Sequence, residues 1–405
     1  MLVNPEDRGA TVHAATTAGP GAGTVRAARP GAQPWSTLVV LCAAQFMVVL
    51  DITVVNVALP SIGADLRFAA GDLQWVITAY VLFAGGLLLL GGRAADLLGR
   101  RRVFLAGLLL FTIASLASAL AWSPVALIVA RAAQGLGAAL LTPAALSIIV
   151  TTYTGAQHAT ALTAWGVIAS AGAAAGMLLG GILTSWMSWE WIFLINVPVG
   201  LAAAALAMRL VSPGRPPGAV AGQLDLPGAA LVVGGLGVLV YAIQGTAEHG
   251  WGSTHTLVLL GAGSALIAGF VGAERTVERP LLSPATWRSR SLVAGAAILL
   301  GATGILVGAF FLNSLYLQHV IGASALETGL GFLPIAVAIA LAAHLASHLM
   351  GHAGSRVVAV VGASLMAAAT ALLAAVPDEA SYAGGLLPGF LILGFGVGLV
   401  FPAAS

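Results

Sequence analysis

The 405-residue chain is 59% hydrophobic and 7% charged, with a mean hydropathy of +1.01. No soluble domain of that length tolerates such a composition on its surface, so a soluble fold is excluded. The formal net charge of +2 says little as a sum, although the placement of the charges does. Cys42 is the only cysteine, which rules out an intrachain disulfide. No phosphate-binding loop, nucleophile elbow or Cys-x-x-Cys pair occurs, and neither an enzyme nor an ATP-driven pump is expected.

Residues 1–34 are rich in Ala, Gly, Pro and Thr and lack the apolar core of a signal peptide; they read as a disordered cytoplasmic tail. A membrane-spanning helix needs about 20 mostly apolar residues. Twelve segments qualify in chain order, near 36–58, 73–92, 102–121, 124–150, 160–184, 191–211, 226–245, 256–273, 292–317, 325–349, 356–376 and 384–404. They are too long and too evenly apolar for barrel strands, which alternate over about 10 residues. The expected fold class is an all-α polytopic membrane protein.

Arginine placement sets the expected orientation. Arg8, Arg26 and Arg29 precede the first segment, and Arg100, Arg101 and Arg102 follow the second. Arg209 and Arg215 follow the sixth, Arg275, Arg279, Arg288 and Arg290 the eighth, and Arg356 the tenth. These loops share one side, and basic loops stay cytoplasmic, so both termini are expected there. The opposite loops carry Asp65, Asp72, Glu190, Glu248, Asp378 and Glu379, with Arg67 as the exception. Trp75, Trp122, Trp186, Trp189, Trp191 and Trp251 read as an aromatic belt at that outer boundary.

Several stretches carry chemistry. Gly91 to Arg102 reads as a short charged loop whose glycines permit a tight turn and whose Asp96 can bond the arginines or a helix N-terminus. Asp51 lies well inside the first segment, about nine residues before Pro60. An ionised carboxylate is costly there, and such a group can load and release a proton as water access changes; permanent pairing with a neighbouring helix is the alternative. Arg131 is the only arginine inside a span interior, about 2.5–3.5 kcal/mol unfavourable on insertion scales, and it needs a carboxylate, carbonyl or water partner. Asp51 and Arg131 are expected to form a proton-coupling switch, with a purely structural tie between helices as the alternative. Gly172, Gly176 and Gly180, with Gly181 beside the last, form a smooth strip where another helix can approach closely. His344, His348 and His352 stand four apart and read as interfacial, since no nearby cysteine or carboxylate completes a metal site. Glu327, near the outer mouth of the tenth segment, is a candidate for recruiting cations.

The pattern from Gly91 and Gly92 through Asp96 to Gly99, Arg100 and Arg101 resembles the loop between helices two and three of major facilitator superfamily transporters. The resemblance implies a gating latch that holds the two halves in the outward-closed state. Leu50 to Pro60, with Asp51 and Asn56, resembles the first-helix signature of the fourteen-helix drug:proton antiporters of the EmrB/QacA type. Trp189 to Gly200, with Asn196 and Pro198, resembles the start of that group's sixth helix, with Glu190 where a basic residue is usual. Arg131, Gln134 and Gly135 match its helix-four motif, which implies a part in proton coupling, as the first-helix aspartate match does for Asp51. Asp225 to Gly228 resembles the start of its inserted helix pair, and Tyr316 to Gly322 the end of helix nine. In these exporters the glycine strip belongs to the antiporter motif, where a proline follows the position of Gly176. Met177 stands there instead, without the proline that would kink the helix. The resemblance covers roughly residues 36–405.

A weak internal repeat, offset by roughly 253–259 positions, sets the domain organisation. Gly135-Leu136-Gly137 and Pro143-Ala144-Ala145 recur as Gly394-Phe395-Gly396 and Pro402-Ala403-Ala404, and Gly99-Arg100-Arg101 has a degenerate counterpart ending at Arg356. Such repeats build two transporter halves around a central site. If spans two and four correspond to ten and twelve, the second half begins at span nine and spans seven and eight are inserted. The expected organisation is a tail (1–34), a six-helix N-terminal half (35–211), a cytoplasmic linker (212–225), an inserted helix pair (226–273), a cytoplasmic loop (274–291) and a C-terminal half with four helices (292–405). Such a chain stops two helices short of a fourteen-helix transporter; six plus six helices with a chance repeat is the alternative.

The resemblance implies a proton-coupled efflux antiporter of small amphipathic compounds such as drugs or antibiotics, in the cell inner (plasma) membrane. Its expected partners are a small-molecule substrate, protons and the lipid bilayer, with no nucleic acid, and the chain is expected to act as a monomer. The proton gradient supplies the energy and no cofactor or metal is expected. A solute symporter on the same fold and a truncated non-transporting membrane protein are the alternatives.

Overall fold

The computed structural model describes residues 35–69, 71–213, 224–275, 289–377 and 381–404. The tail expected at 1–34 lies outside them, as do most of the linker and loop expected at 212–225 and 274–291, and Asp378 and Glu379. The regular structure described is helical: α1 Trp35–Asp65, α2 Trp75–Gly86, α3 Leu88–Leu98, α4 Arg100–Ala119, α5 Pro124–Thr152, α6 Ala156–Trp186, α7 Trp191–Leu194 and α8 Asn196–Leu210. There follow α9 Leu226–Gln244, α10 Thr246–His249, α11 Thr254–Glu274, α12 Arg290–His319, α13 Ala325–Ala353, α14 Ser355–Ala374, a π-turn Tyr382–Leu386 and α15 Leu387–Ala404. Eleven spans are long and apolar enough to cross a membrane, and the pair α2–α3, bent by 46° at Leu87, makes a twelfth.

Two expected boundaries are corrected. The charged stretch from Gly91 is not a loop: α3 stays helical to Leu98, and α4 begins at Arg100. The break is Gly99 alone, at φ 100°, a left-handed conformation that glycine adopts without a Cβ penalty. A helix end in water tolerates charges as well as a loop does, which is why charge alone misplaced the boundary. The first span does not stop near Pro60 but runs through it to Asp65. Proline removes one internal hydrogen bond without ending a helix whose freed carbonyl finds another donor.

Lipid tails are as apolar as leucine, so these helices associate through close packing and buried polar contacts. In the first bundle α5 packs against α2, α3 and α4, while α1 packs on α6 and α8. Its apolar core includes Leu41, Phe104, Phe111 and Leu141. In the second bundle α12, α13 and α14 all pack on α15, around Phe332, Ile335 and Phe390. The helices α9 and α11 pack on each other, and α9 reaches the first bundle through α2, where Tyr241 tilts against Trp75. Leu120, Val125 and Leu300 are exposed, on the apolar outside that lipid covers. Trp122, Trp186 and Trp251 are exposed at their helix ends, but Trp189 is not part of that belt. It is buried, and its Nε1 donates to Asp65 Oδ2 at 2.9 Å.

Candidate functional site

Five polar side chains meet in the middle of the first bundle, where the composition is otherwise apolar. Asp51 of α1 is fully buried and Arg131 of α5 is 1% exposed. Arg131 Nη1 donates to Asp51 Oδ2 at 2.6 Å and to Gln134 Oε1 at 2.7 Å, and its Nε donates to the Val76 carbonyl at 3.0 Å. Gln134, one helical turn along α5, donates from Nε2 to Asp51 Oδ1 at 2.7 Å and to Ser115 Oγ of α4 at 3.3 Å. Asn196, the first residue of α8, donates to Asp51 Oδ1 at 3.1 Å and to Ser115 Oγ at 3.0 Å. Ser115 in turn donates to the Phe193 carbonyl at 2.9 Å. The guanidinium lies over the Tyr80 ring at 4.4 Å and near the Phe193 ring at 5.5 Å, two aromatic faces that favour a cation.

The arrangement has a definite polarity. Three donors converge on the carboxylate, both amide hydrogens of Gln134 and of Asn196 are committed, and the Ser115 hydroxyl is both donor and acceptor. Of the two amide oxygens beside Asp51, that of Gln134 already accepts from Arg131. Donors from two helices thus meet on one carboxylate, and a change at Asp51 acts on α5 and α8 together.

The predicted residues fall into three places. Asp51, Arg131, Gln134 and Asn196 come together in the network, and Gly135 lets α2 approach α5, since a Cβ there would strike the Tyr80 carbonyl. Asn56 and Pro60 sit further along α1, where the two bundles meet. Pro60 has no N–H, so the Asn56 carbonyl loses its partner one turn on, and Ser314 Oγ of α12 donates to it at 2.8 Å. Gln318 Nε2 donates to the adjacent Val57 carbonyl at 3.0 Å, and Ser185 Oγ of α6 accepts from the Leu326 N–H of α13 at 3.0 Å. Among the described residues these are the three hydrogen bonds that cross between the bundles, and all lie toward the Pro60 end. Beside them a cavity of about 370 Å³ is lined by Pro60, Ser61, Thr184, Ser185, Gln318 and His319, among others.

The glycine strip packs α6 on α1, and Gly181 beside it meets the second bundle. A Cβ at Gly172, Gly176 or Gly180 would press on Phe46, Thr53 or Val54 of α1, whereas one at Gly181 would lie 2.7 Å from the Ala325 carbonyl oxygen of α13. With Met177 in place of proline, α6 runs unbroken to Trp186.

The third group lies at the opposite end of the first bundle. Gly91 rests on the Ala139 carbonyl, which Pro143 leaves without its usual donor, and Gly92 lies beside Pro143. Arg101 Nη2 donates to the Met208 carbonyl in the last turn of α8, a favourable place for a cation. Arg100 is half-buried, and Asp96 is exposed with no hydrogen bond or ion pair among the described residues. Asp96 therefore bonds neither the arginines nor a helix N-terminus in this conformation.

One other expectation changes. Glu327 closes a capping box with Ser324, accepting from its backbone N–H at 2.7 Å, so its carboxylate is engaged in starting α13. His344 and His348 meet edge to face at 5.1 Å, and no cluster of three potential metal ligands occurs among the described residues. Sequence reasoning missed Ser115, Tyr80 and Phe193. A serine or an aromatic in an apolar span carries no pattern of its own, and only the unpaired charge of Arg131 pointed to a need for such neighbours.

The family profile described as Major Facilitator Superfamily matches residues 41–405. The chain is 41% identical over 370 residues to the cephamycin export protein CmcT of Amycolatopsis lactamdurans, covering 90% of this chain and 76% of that one. It is 43% identical over 380 residues to the puromycin resistance protein pur8 of Streptomyces alboniger, covering 92% and 75%. Among solved structures, a peptide transporter POT in complex with sulfate matches with a TM-score of 0.64 at 17% identity, over 91% of this chain and 80% of that one. A bacterial homolog of the human lysosomal transporter Spinster matches with a TM-score of 0.59 at 20% identity, over 92% and 75%. These two likenesses show the fold.

Proposed function

Because the chain belongs to the Major Facilitator Superfamily and is a multi-pass membrane transporter rather than an enzyme, we propose that it is a proton-coupled exporter of small amphipathic compounds such as antibiotics. The observation that carries this reading is the buried Asp51–Arg131 pair, whose carboxylate is met by three donors. In this reading the present conformation holds Asp51 ionised. Once the site opens outward, proton uptake from outside releases Arg131, and the resulting change of helix packing opens the path to the substrate. A proton moving through 100 mV supplies about 2.3 kcal/mol, which at about 1.4 kcal/mol per tenfold sustains a roughly fifty-fold substrate gradient.

Export rather than uptake is supported by the two relatives, one named for export of cephamycin and one for resistance to puromycin. Membership of the fourteen-helix drug:proton antiporter group is supported by the α9–α11 pair, which packs chiefly on itself beside α2. The arginine pattern supports cytoplasmic termini and, with them, an outer position for the Pro60 seam. The described state is then closed outside. Gly92, Asp96, Gly99, Arg100 and Arg101 form the cytoplasmic gate; since Asp96 is unbonded in this state, its latch acts not in the outward-closed state that the resemblance implied but once the inner side closes.

The test is exchange in liposomes. Addition of ethidium or puromycin to vesicles holding the protein and a pH dye should produce counter-movement of protons, and Asp51→Asn should abolish it while leaving ligand binding. Coupled exchange that persists in Asp51→Asn would refute the reading.

A further inference from the structure

Asp51 is tied to the sixth span as well as to α5, through a turn that the sequence has broken. Pro198 has no N–H, so the Leu194 carbonyl lacks its partner one turn on, and the helix is interrupted there. Asn196, 1% exposed on the loosened turn, directs one amide hydrogen to Asp51 Oδ1 and the other to Ser115 Oγ. Ser115 closes the arrangement by donating to the Phe193 carbonyl on the other side of the break. The far end of α8 is held separately: Thr37 Oγ1 donates to the Leu210 carbonyl at 3.2 Å, and Arg101 donates to that of Met208. Among the described residues, α8 is thus pinned by polar contacts at two ends, and only the Asn196 end depends on the charge of Asp51.

We propose that Asn196 is a positioning residue that transmits the protonation of Asp51 to the sixth span, releasing α8 at its broken turn when the carboxylate loses its charge. The proposal rests on the proton-coupled reading above. A hydrogen bond to an ionised acceptor is about twice as strong as one to a neutral group, so neutralising Asp51 weakens the hold of Asn196 and of Arg131 together. Two helices then respond to one proton.

The groups facing Asp51 are few. Arg131 of α5 is the charged one, and the Tyr80 phenol of α2 lies under its guanidinium. The remaining ionisable residues on helices packed against α1 are His158 of α6, Arg209 of α8, Arg290, Tyr316 and His319 of α12, and on α13 Glu327 and its three histidines; all lie toward helix ends. A shift in the pH profile on altering Asn196 therefore reports on Asp51.

The experiment is ethidium-driven proton exchange in liposomes between pH 5.5 and 8.5, on the full chain and on Asp51→Asn, Asn196→Ala, Asn196→Gln and Ser115→Ala. Loss of one donor to a charged group should move the pH of half-maximal exchange upward by about one unit in Asn196→Ala, with KM for ethidium unchanged. Ser115→Ala, which frees Asn196 from its second partner, should move it the same way by less. Asn196→Gln, which keeps the amide, should restore most of the shift. If Asn196→Ala proves poorly folded by gel filtration, the Ser115→Ala and Asn196→Gln profiles decide. Slower exchange at an unmoved midpoint in these variants would make Asn196 merely structural and overturn the proposal, provided Asp51→Asn is inactive. Exchange that survives in Asp51→Asn would instead overturn the reading on which it rests.

Discussion

Replacing Arg131 by methionine should destabilise the fold about as much as truncating the largest buried apolar side chains of the first bundle. The substitution leaves a fully buried Asp51 carboxylate facing two amide donors and no cation. Removing one member of a buried ion pair costs about 3–5 kcal/mol, because the remaining charge is uncompensated. The upper end is expected, since the guanidinium also satisfies Gln134 Oε1 and the Val76 carbonyl and fills the space between Tyr80 and Phe193. Asp51→Asn leaves the opposite charge stranded and should lose a similar amount. The double variant Asp51→Asn/Arg131→Met strands neither charge, so its loss should fall short of the sum of the two by about 2 kcal/mol or more. The cycle is measured by unfolding the purified protein in mixed detergent micelles with sodium dodecyl sulfate, followed by far-ultraviolet circular dichroism. Losses that simply add would show that the two residues do not act as a pair, and the coupling argument would fall with them.

Gly91→Ala should cost about 1–3 kcal/mol, because its Cβ meets the Ala139 backbone rather than a side chain that can swing away. Gly85→Ala, with nothing within 4 Å of the added methyl, should be neutral or slightly stabilising in the same detergent unfolding assay. Ser314→Ala should leave the Asn56 carbonyl unpaired in the seam and weaken the described closed state by about 1–3 kcal/mol. That change is read as faster labelling of a cysteine placed at Ser61 by a membrane-impermeant maleimide, in a background where Cys42 is replaced by alanine. Labelling at the unaltered rate would mean that the Ser314 bond does not hold the seam.

Much of this architecture is written locally. A span announces itself by length and apolarity, so the helices were readable wherever the chain stayed in the bilayer, and their ends were not. The end of α3 was misread because Arg93, Asp96 and their neighbours can sit equally well on a hydrated helix end or in a loop, and only the backbone of Gly99 separates the cases. Asp51 and Arg131 were legible because a lone charge in an apolar span demands a partner. Asn196 and Gln134 were legible only as members of a signature, since an amide's partner depends on which helices become neighbours. Ser115 was invisible for the same reason, although it joins three helices' worth of contacts. Asn56 shows the reverse error: its side chain donates back to the Ile52 carbonyl, and what matters across the seam is its backbone oxygen, exposed by Pro60 four residues later.

That exposed oxygen ties movement to hydration. The Asn56 carbonyl has exchanged an internal partner for Ser314, a residue on a different bundle. If the bundles separate into lipid, the carbonyl is left bare at several kcal/mol, whereas in water it is resatisfied at once. The cleft at Pro60 can therefore widen only as fast as it wets. A dry, lipid-filled gap is the arrangement the proline forbids, and a water-filled vestibule is the one it permits.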